Sequence, residues 1–291
     1  MSFLEHPSAI VPANPPELRG SIMLVGAGPG AADLLTLRAI RVLGQADVVF
    51  YDRLVDPEVL DFARADADRI FVGKEVGAHS WPQARIDAAI VDAALAGKQV
   101  VRLKSGDPSI FGRATEEITA ARKHGITVEV VAGVTAASAA AASLCEPLTQ
   151  RGVTDRVVLA TATCREGEKM SEISEIARPG TMMVFYMAMH QLAHLTDQLL
   201  TAGVERGQPV SIASYVSRPN AQSLQTTVGG MVADCAAANL KNPAVIMIGL
   251  PKSGLFGQHE HAREGQMTHE PSAQQGLGLK RPGFVERTFA Q

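Results

Sequence analysis

Basic excess, aromatic residues, cysteine and long apolar runs are all scarce in this chain, and each shortage removes a class of function. Lys and Arg number 27 against 30 Asp and Glu, a formal net charge of −3. Nucleic-acid binding normally shows as a basic excess or stripe, so none is expected. Aromatics make up 4% of the residues, too few for platforms that stack single-stranded bases. The cysteines, Cys145, Cys164 and Cys235, are far apart, odd in number and without CxxC spacing, which points to reduced thiols rather than a disulfide framework or a metal site. No apolar run reaches the roughly 18 residues a membrane span needs. The first residues lack a basic n-region followed by an apolar h-region. The expectation is a soluble, cytoplasmic protein with no metal.

What the 291 residues do contain is a hydrophobic content of 46%, enough for one large core or two modest ones. Short β-branched strands alternate with helical segments from residue 20 to residue 250, predicting an α/β protein with βαβ units in both halves. The pattern resets near 146–155, so two α/β domains are expected, at 20–150 and 151–250. Residues 1–19, with Pro12, Pro15 and Pro16, read as a loose extension, and 251–291 as a disordered tail. His259 and His261 in that tail lack further ligands for a metal. Helices are expected at 57–65, 113–124, 136–144 and 190–202, among others.

The chemistry concentrates at 99–117, QVVRLKSGDPSIFGRATEE. A buried strand around Val100, Val101 and Leu103 breaks at Ser105, Gly106, Asp107 and Pro108 before a helix restarts. Ligands of open α/β sheets bind at the carboxyl ends of strands. There Gly106 admits close backbone approach, Asp107 offers an acceptor to hydroxyl or ammonium groups, and Arg102, Lys104 and Arg113 suit carboxylates. Asp52 and Arg53 follow another strand, and Lys74 a third; His79 reads as a surface residue. The small residues of 136–144 suit a helix pressed against neighbouring backbone or a ligand. GAGPG at 26–30 suggests a dinucleotide loop, but Pro29 removes an N–H and the GxGxxG spacing is missing, which argues against an NAD-dependent oxidoreductase.

These segments, in order, resemble the tetrapyrrole methylases over about 20–250. The resemblance rests on VGAGPG at 25–30, LLTLRA at 34–39, ADVVFYDRLV at 46–55, FVGK at 71–74, VVRLKSGDP and IFGR through Arg113, GVTAAS at 133–138, PLTQRG at 147–152 and FYMAM at 185–189. It implies two α/β domains, S-adenosylmethionine bound between them, and a homodimer. It also implies methylation of uroporphyrinogen III at C2 and C7, giving precorrin-2 by way of precorrin-1 and feeding sirohaem, cobalamin or haem d1. The alternatives are a methylase of a later precorrin and a non-catalytic binder on the same fold.

Carried over by position, Pro29, Ser105, Gly106, Asp107, Ile110, Thr135, Ala136, Met187, Val216 and Ala244 line the cofactor site. Asp52, Lys74, Arg113 and Glu116 fall on the reacting side, and Arg53, Arg102 and Arg151 contact substrate. Ser105, Ala114-Thr115, Gln150 and Thr161-Ala162-Thr163 depart from the usual family residues. The absence of a dehydrogenase and ferrochelatase module is expected to make this a stand-alone methylase.

Overall fold

A computed structural model describes residues 20–73, 81–162 and 173–252. Lys74, His79, Cys164, the extension at 1–19 and the tail histidines lie outside the described residues. The elements run β1 (Ser21–Gly26), α1 (Leu37–Leu43), β2 (Val48–Tyr51), α2 (Pro57–Leu60), β3 (Asp68–Phe71), α3 (Gln83–Leu95), β4 (Gln99–Lys104), α4 (Ala114–Lys123), β5 (Thr127–Val131) and α5 (Ala136–Leu144). Then follow β6 (Arg156–Thr161), α6 (Ile173–Ile176), β7 (Thr181–Tyr186), α7 (Leu192–Thr201), β8 (Pro209–Ser214), β9 (Gln222–Thr227), α8 (Met231–Ala237) and β10 (Ala244–Leu250). Among the described residues no helix is long and apolar enough to cross a membrane.

The first sheet has the order β3-β2-β4-β1-β5 and is parallel throughout. Its central strands are apolar on both faces because helices cover both. Leu35, Ala39, Leu43 and Val59 close one side, and Ile86, Ile90, Ala94 and Ala121 the other. The helix expected at 57–65 is a single turn. Asp56 caps it, its carboxylate accepting from the Glu58 N–H at 3.0 Å, and Pro57 opens it. The chain then passes through turns to reach β3 beside β2.

The second sheet, β6-β7-β10-β8-β9, holds one βαβ unit of the kind expected in both halves, β6-α6-β7, and departs from that pattern beyond β7. Only β6 and β7 pair in parallel; β10 runs antiparallel between β7 and β8, and β9 returns antiparallel along β8. The carboxyl ends of β7 and β8 and the amino end of β10 therefore share one edge. Helix α5 covers one face of this sheet, where Ala137, Ala139 and Ala140 pack with Val184, Ala213, Val245 and Met247. Its run of alanines has a physical reason: without branches, the helix lies close on the strands.

Glycines hold the loops of the first sheet together. A Cβ on Gly133 would sit 2.2 Å from the Gly106 carbonyl oxygen and 2.8 Å from Gly26 Cα, and both obstacles are backbone. Gly133→Ala is therefore expected to lower the stability of unfolding by about 1–3 kcal/mol in urea titrations. Gly207→Ala, where nothing lies within 4 Å, should stay within about 0.5 kcal/mol.

Candidate active site

Three loops meet where β1, β4 and β5 end. Backbone bonds link Ala27 N–H to Lys104 O (2.7 Å), Gly106 N–H to Gly28 O (2.7 Å) and Gly28 N–H to Gly106 O (3.2 Å). Asp107 ties in the third loop: one carboxylate oxygen accepts the Gly133 N–H at 2.9 Å, the other the Ser109 N–H at 2.8 Å and the Ser109 hydroxyl. Burial pushes the Asp107 carboxyl up, but the Ser109 and Gly133 donors outweigh it and leave its pKa below the usual value. Gly106 has φ +70, a conformation that favours glycine, and a Cβ there would meet Thr135 Cα and the Val134 carbonyl oxygen, both at 4.0 Å, so the turn packs on the loop that follows β5. Ser105, Gly106, Asp107 and Ile110 are thus brought together with the β5–α5 loop that carries Thr135 and Ala136.

Beneath this turn lies a buried charge cluster. Arg102 Nε donates to Glu117 Oε1 at 3.1 Å, Lys104 Nζ to Glu117 Oε2 at 2.7 Å, and Arg102 faces Asp52 Oδ2 at 3.4 Å. Glu117 is fully enclosed, while the Asp52 side chain is 28% exposed. Burial, with Arg102 beside it, pulls the Lys104 pKa down against the pull of Glu117. Arg102, expected to contact substrate, instead spends its guanidinium on Glu117, Asp52 and the Leu103 carbonyl (2.7 Å). Inside a strand covered on both faces a cation persists only with a buried anion. The sequence reading selects Glu116 and misses that anion. Helical phase was the available signal, since Glu117 lies one turn from buried Ala121.

The other charged candidates face outward. Arg113 is 55% exposed and pairs with Glu116 at 3.0 Å. Arg53 is exposed beside Asp52, and Arg151 is exposed on the turn closed by the Gln150–Thr154 bridge.

The second sheet contributes the opposite wall. The Tyr186 hydroxyl lies 2.6 Å from Thr135 Oγ1 and accepts the Ala137 N–H at 3.1 Å, and its ring packs on Phe111 at 5.1 Å between centroids. Val216 and Ala244 are buried at the same edge of the sheet, whereas Met187 is 45% exposed. Phe111, Arg113, Met187, Tyr215 and Ser217 all have φ between +50 and +62. Left-handed backbone at non-glycine residues is costly and collects at ligand sites. Here it collects on the facing loops.

Solved structures of this two-sheet architecture define the class: methyltransferases. A cobalt precorrin-4 methyltransferase superposes with a TM-score of 0.72 at 26% identity, covering 83% of this chain and 98% of its own. The uroporphyrin-III C-methyltransferase from Thermus thermophilus, complexed with S-adenosyl homocysteine, gives 0.67 at 33% identity, covering 79% and 92%. The family model for tetrapyrrole (corrin/porphyrin) methylases matches residues 21–232, and the chain belongs to that family. The family uses S-adenosylmethionine. Curated relatives include the siroheme synthase of Psychrobacter sp. strain PRwf-1, 43% identical over 80% of this chain, and siroheme synthase 1 of Aeromonas hydrophila, 44% identical over 81%. The chain spans about half the length of these relatives, 48% and 50%.

The residues present fit that cofactor. The Asp107 carboxylate suits an ammonium group, and Phe111 and Met187, exposed on the facing loops, offer apolar surface for an adenosyl group.

Proposed function

We propose that this chain methylates uroporphyrinogen III at C2 and C7, giving precorrin-2 by way of precorrin-1. The observation that carries the reading is the pairing of a glycine-lined turn, Ser105-Gly106-Asp107, with charged groups at neighbouring strand ends: Asp52, Arg53 and Arg113. The 33% identity to the Thermus uroporphyrin-III C-methyltransferase supports the choice of substrate over a later precorrin, since the cobalt precorrin-4 methyltransferase is 26% identical.

When bound, S-adenosylmethionine supplies a methyl group already activated on a sulfonium. The chain's residues then have two tasks. Pro29, the 105–107 turn, Ile110, Thr135-Ala136, Met187, Val216 and Ala244 hold and orient the donor against the electron-rich pyrrole carbon, and alignment of this kind supplies much of the rate. Arg53, Arg113 and Arg151, with Lys74, clamp the carboxylates of the substrate. A guanidinium keeps its proton, so Asp52 or Glu116 takes the proton that the ring must lose after attack. Arg102 supports Asp52 from below. A homodimer of two-domain subunits, split near 150 and working in the cytoplasm, completes the reading; the product would feed sirohaem, cobalamin or haem d1.

Anaerobic incubation with uroporphyrinogen III and S-adenosylmethionine, followed by oxidation and mass spectrometry, tests it. Two added methyl groups per tetrapyrrole are expected. No added methyl, with the cofactor still bound, would overturn the substrate assignment.

A further inference from the structure

The loop after β8 reaches across to the first sheet at three successive points. Ser217 Oγ accepts the Ala31 N–H at 3.1 Å, which ties the loop to the one that follows β1. Gly30 lies directly beneath Arg218: a Cβ there would fall 2.6 Å from Arg218 Cγ and 3.0 Å from both Ser217 Oγ and the Val216 carbonyl oxygen. Arg218 then extends past Gly30, and its terminal nitrogen donates to the Leu54 carbonyl, 164 residues away in sequence. Leu54 in turn donates its own N–H to Asp52 Oδ1 at 3.0 Å.

The backbone is shaped for this reach. Tyr215 and Ser217 both adopt left-handed conformations, φ 50 and 62, in the residues immediately before Arg218. The guanidinium Nε is buried and finds no hydrogen-bond partner among the described residues. A merely solvated arginine would leave that nitrogen in water, so the side chain is held in place by its two ends: the stem against Gly30 and the tip on Leu54.

We propose that Arg218 is a positioning residue, a latch that sets the second-sheet wall of the cofactor cleft against the first sheet and, through Leu54, steadies Asp52. The inference rests on the cleft and on the role for Asp52 put forward above. Arg218 itself does not touch the reacting atoms. Its effect is to keep the closed arrangement populated, and a ligand's apparent affinity falls in proportion to the fraction of protein in the competent state.

The test begins with S-adenosylhomocysteine binding to the full-length protein by calorimetry, which needs no substrate and no turnover. Arg218→Ala is expected to weaken binding about tenfold, whereas Arg218→Lys, which keeps one donor for Leu54 O, should stay within about threefold. Gly30→Ala should weaken binding through its collision with Arg218 Cγ. In the Arg218→Ala background that atom is gone, so the two losses should fall short of additivity. Unchanged binding in Arg218→Ala, or strictly additive losses in the double variant, would overturn the latch. Thermal unfolding of Arg218→Lys guards against a folding defect, because its binding can be judged at full folded population.

A second arm addresses Asp52. Arg218→Ala should lower kcat about tenfold in the wild-type background but less than about twofold in Asp52→Asn. Equal losses in both backgrounds would overturn the link through Leu54. If the protein adds no methyl to uroporphyrinogen III, the substrate assignment fails while the binding cycle still decides the latch.

Discussion

Glu117→Ala is expected to destabilise the folded protein by about 3–5 kcal/mol, seen as a large drop in the urea midpoint at neutral pH. The carboxylate is completely enclosed and its two oxygens serve different cations, Arg102 at 3.1 Å and Lys104 at 2.7 Å. Its removal leaves two buried positive groups, 6% and 7% exposed, side by side: Lys104 loses its hydrogen-bonded counter-charge and Arg102 keeps only Asp52 at 3.4 Å. The exposed Arg38–Glu129 pair provides the contrast, with side chains 57% and 48% exposed. Glu129→Ala should cost less than about 1 kcal/mol, because water screens that pair.

The loss in Glu117→Ala should also shrink at alkaline pH. Burial already holds the Lys104 pKa below that of a free lysine, so between its folded value and its unfolded value the unfolded chain binds more protons and stability rises with pH. Without Glu117 the folded value falls further and this window widens. Raising the pH toward about 10.4, where a free lysine titrates, removes the penalty for the buried ammonium in wild type and variant alike. Urea titrations at neutral pH and near that value check both statements. A loss below about 1 kcal/mol at neutral pH would mean that the cluster does not carry buried charge in solution.

The same cluster shows what the amino-acid sequence made legible. Strands β1, β2, β4 and β5 were readable because their apolar runs end abruptly in Gly, Pro or charge, and α5 because its alanines admit only close packing. The turn at Ser105-Gly106-Asp107 was readable for the same reason. Arg102 and Lys104 were readable as charges but not as buried ones. They alternate with Val101 and Leu103 in a strand whose two faces are both covered, and that alone required an internal anion. The insertion of β10 between β7 and β8 was not legible, since pairing between strands so distant in sequence leaves no local trace. Tyr186 and Arg218 were missed as site residues for a related reason: each meets its partners only after the two sheets have been brought together.

Asp52→Asn is expected to reduce methyl transfer by about 10²–10⁴-fold with little change in S-adenosylhomocysteine affinity, the loss typical of removing a positioned proton acceptor. Asp52 stands at the carboxyl end of β2, held by the Leu54 N–H at 3.0 Å and by Arg102 at 3.4 Å, yet remains 28% exposed. It is fixed enough to be aimed and open enough to meet a substrate. Asparagine keeps the shape and an acceptor for Leu54, so the change removes basicity more than structure. Arg113→Lys should act differently. Its partner Glu116 sits at 3.0 Å in an exposed pair, and exchanging such a partner for a substrate carboxylate costs little. Losing the forked guanidinium should therefore raise KM for the tetrapyrrole by about tenfold while kcat stays within a few-fold. Steady-state kinetics of the two variants, with Glu116→Gln beside them, separate the roles. If Arg113→Lys kept its KM but lost turnover while Asp52→Asn and Glu116→Gln stayed active, the arginine would be the group that handles the proton and the carboxylates its support.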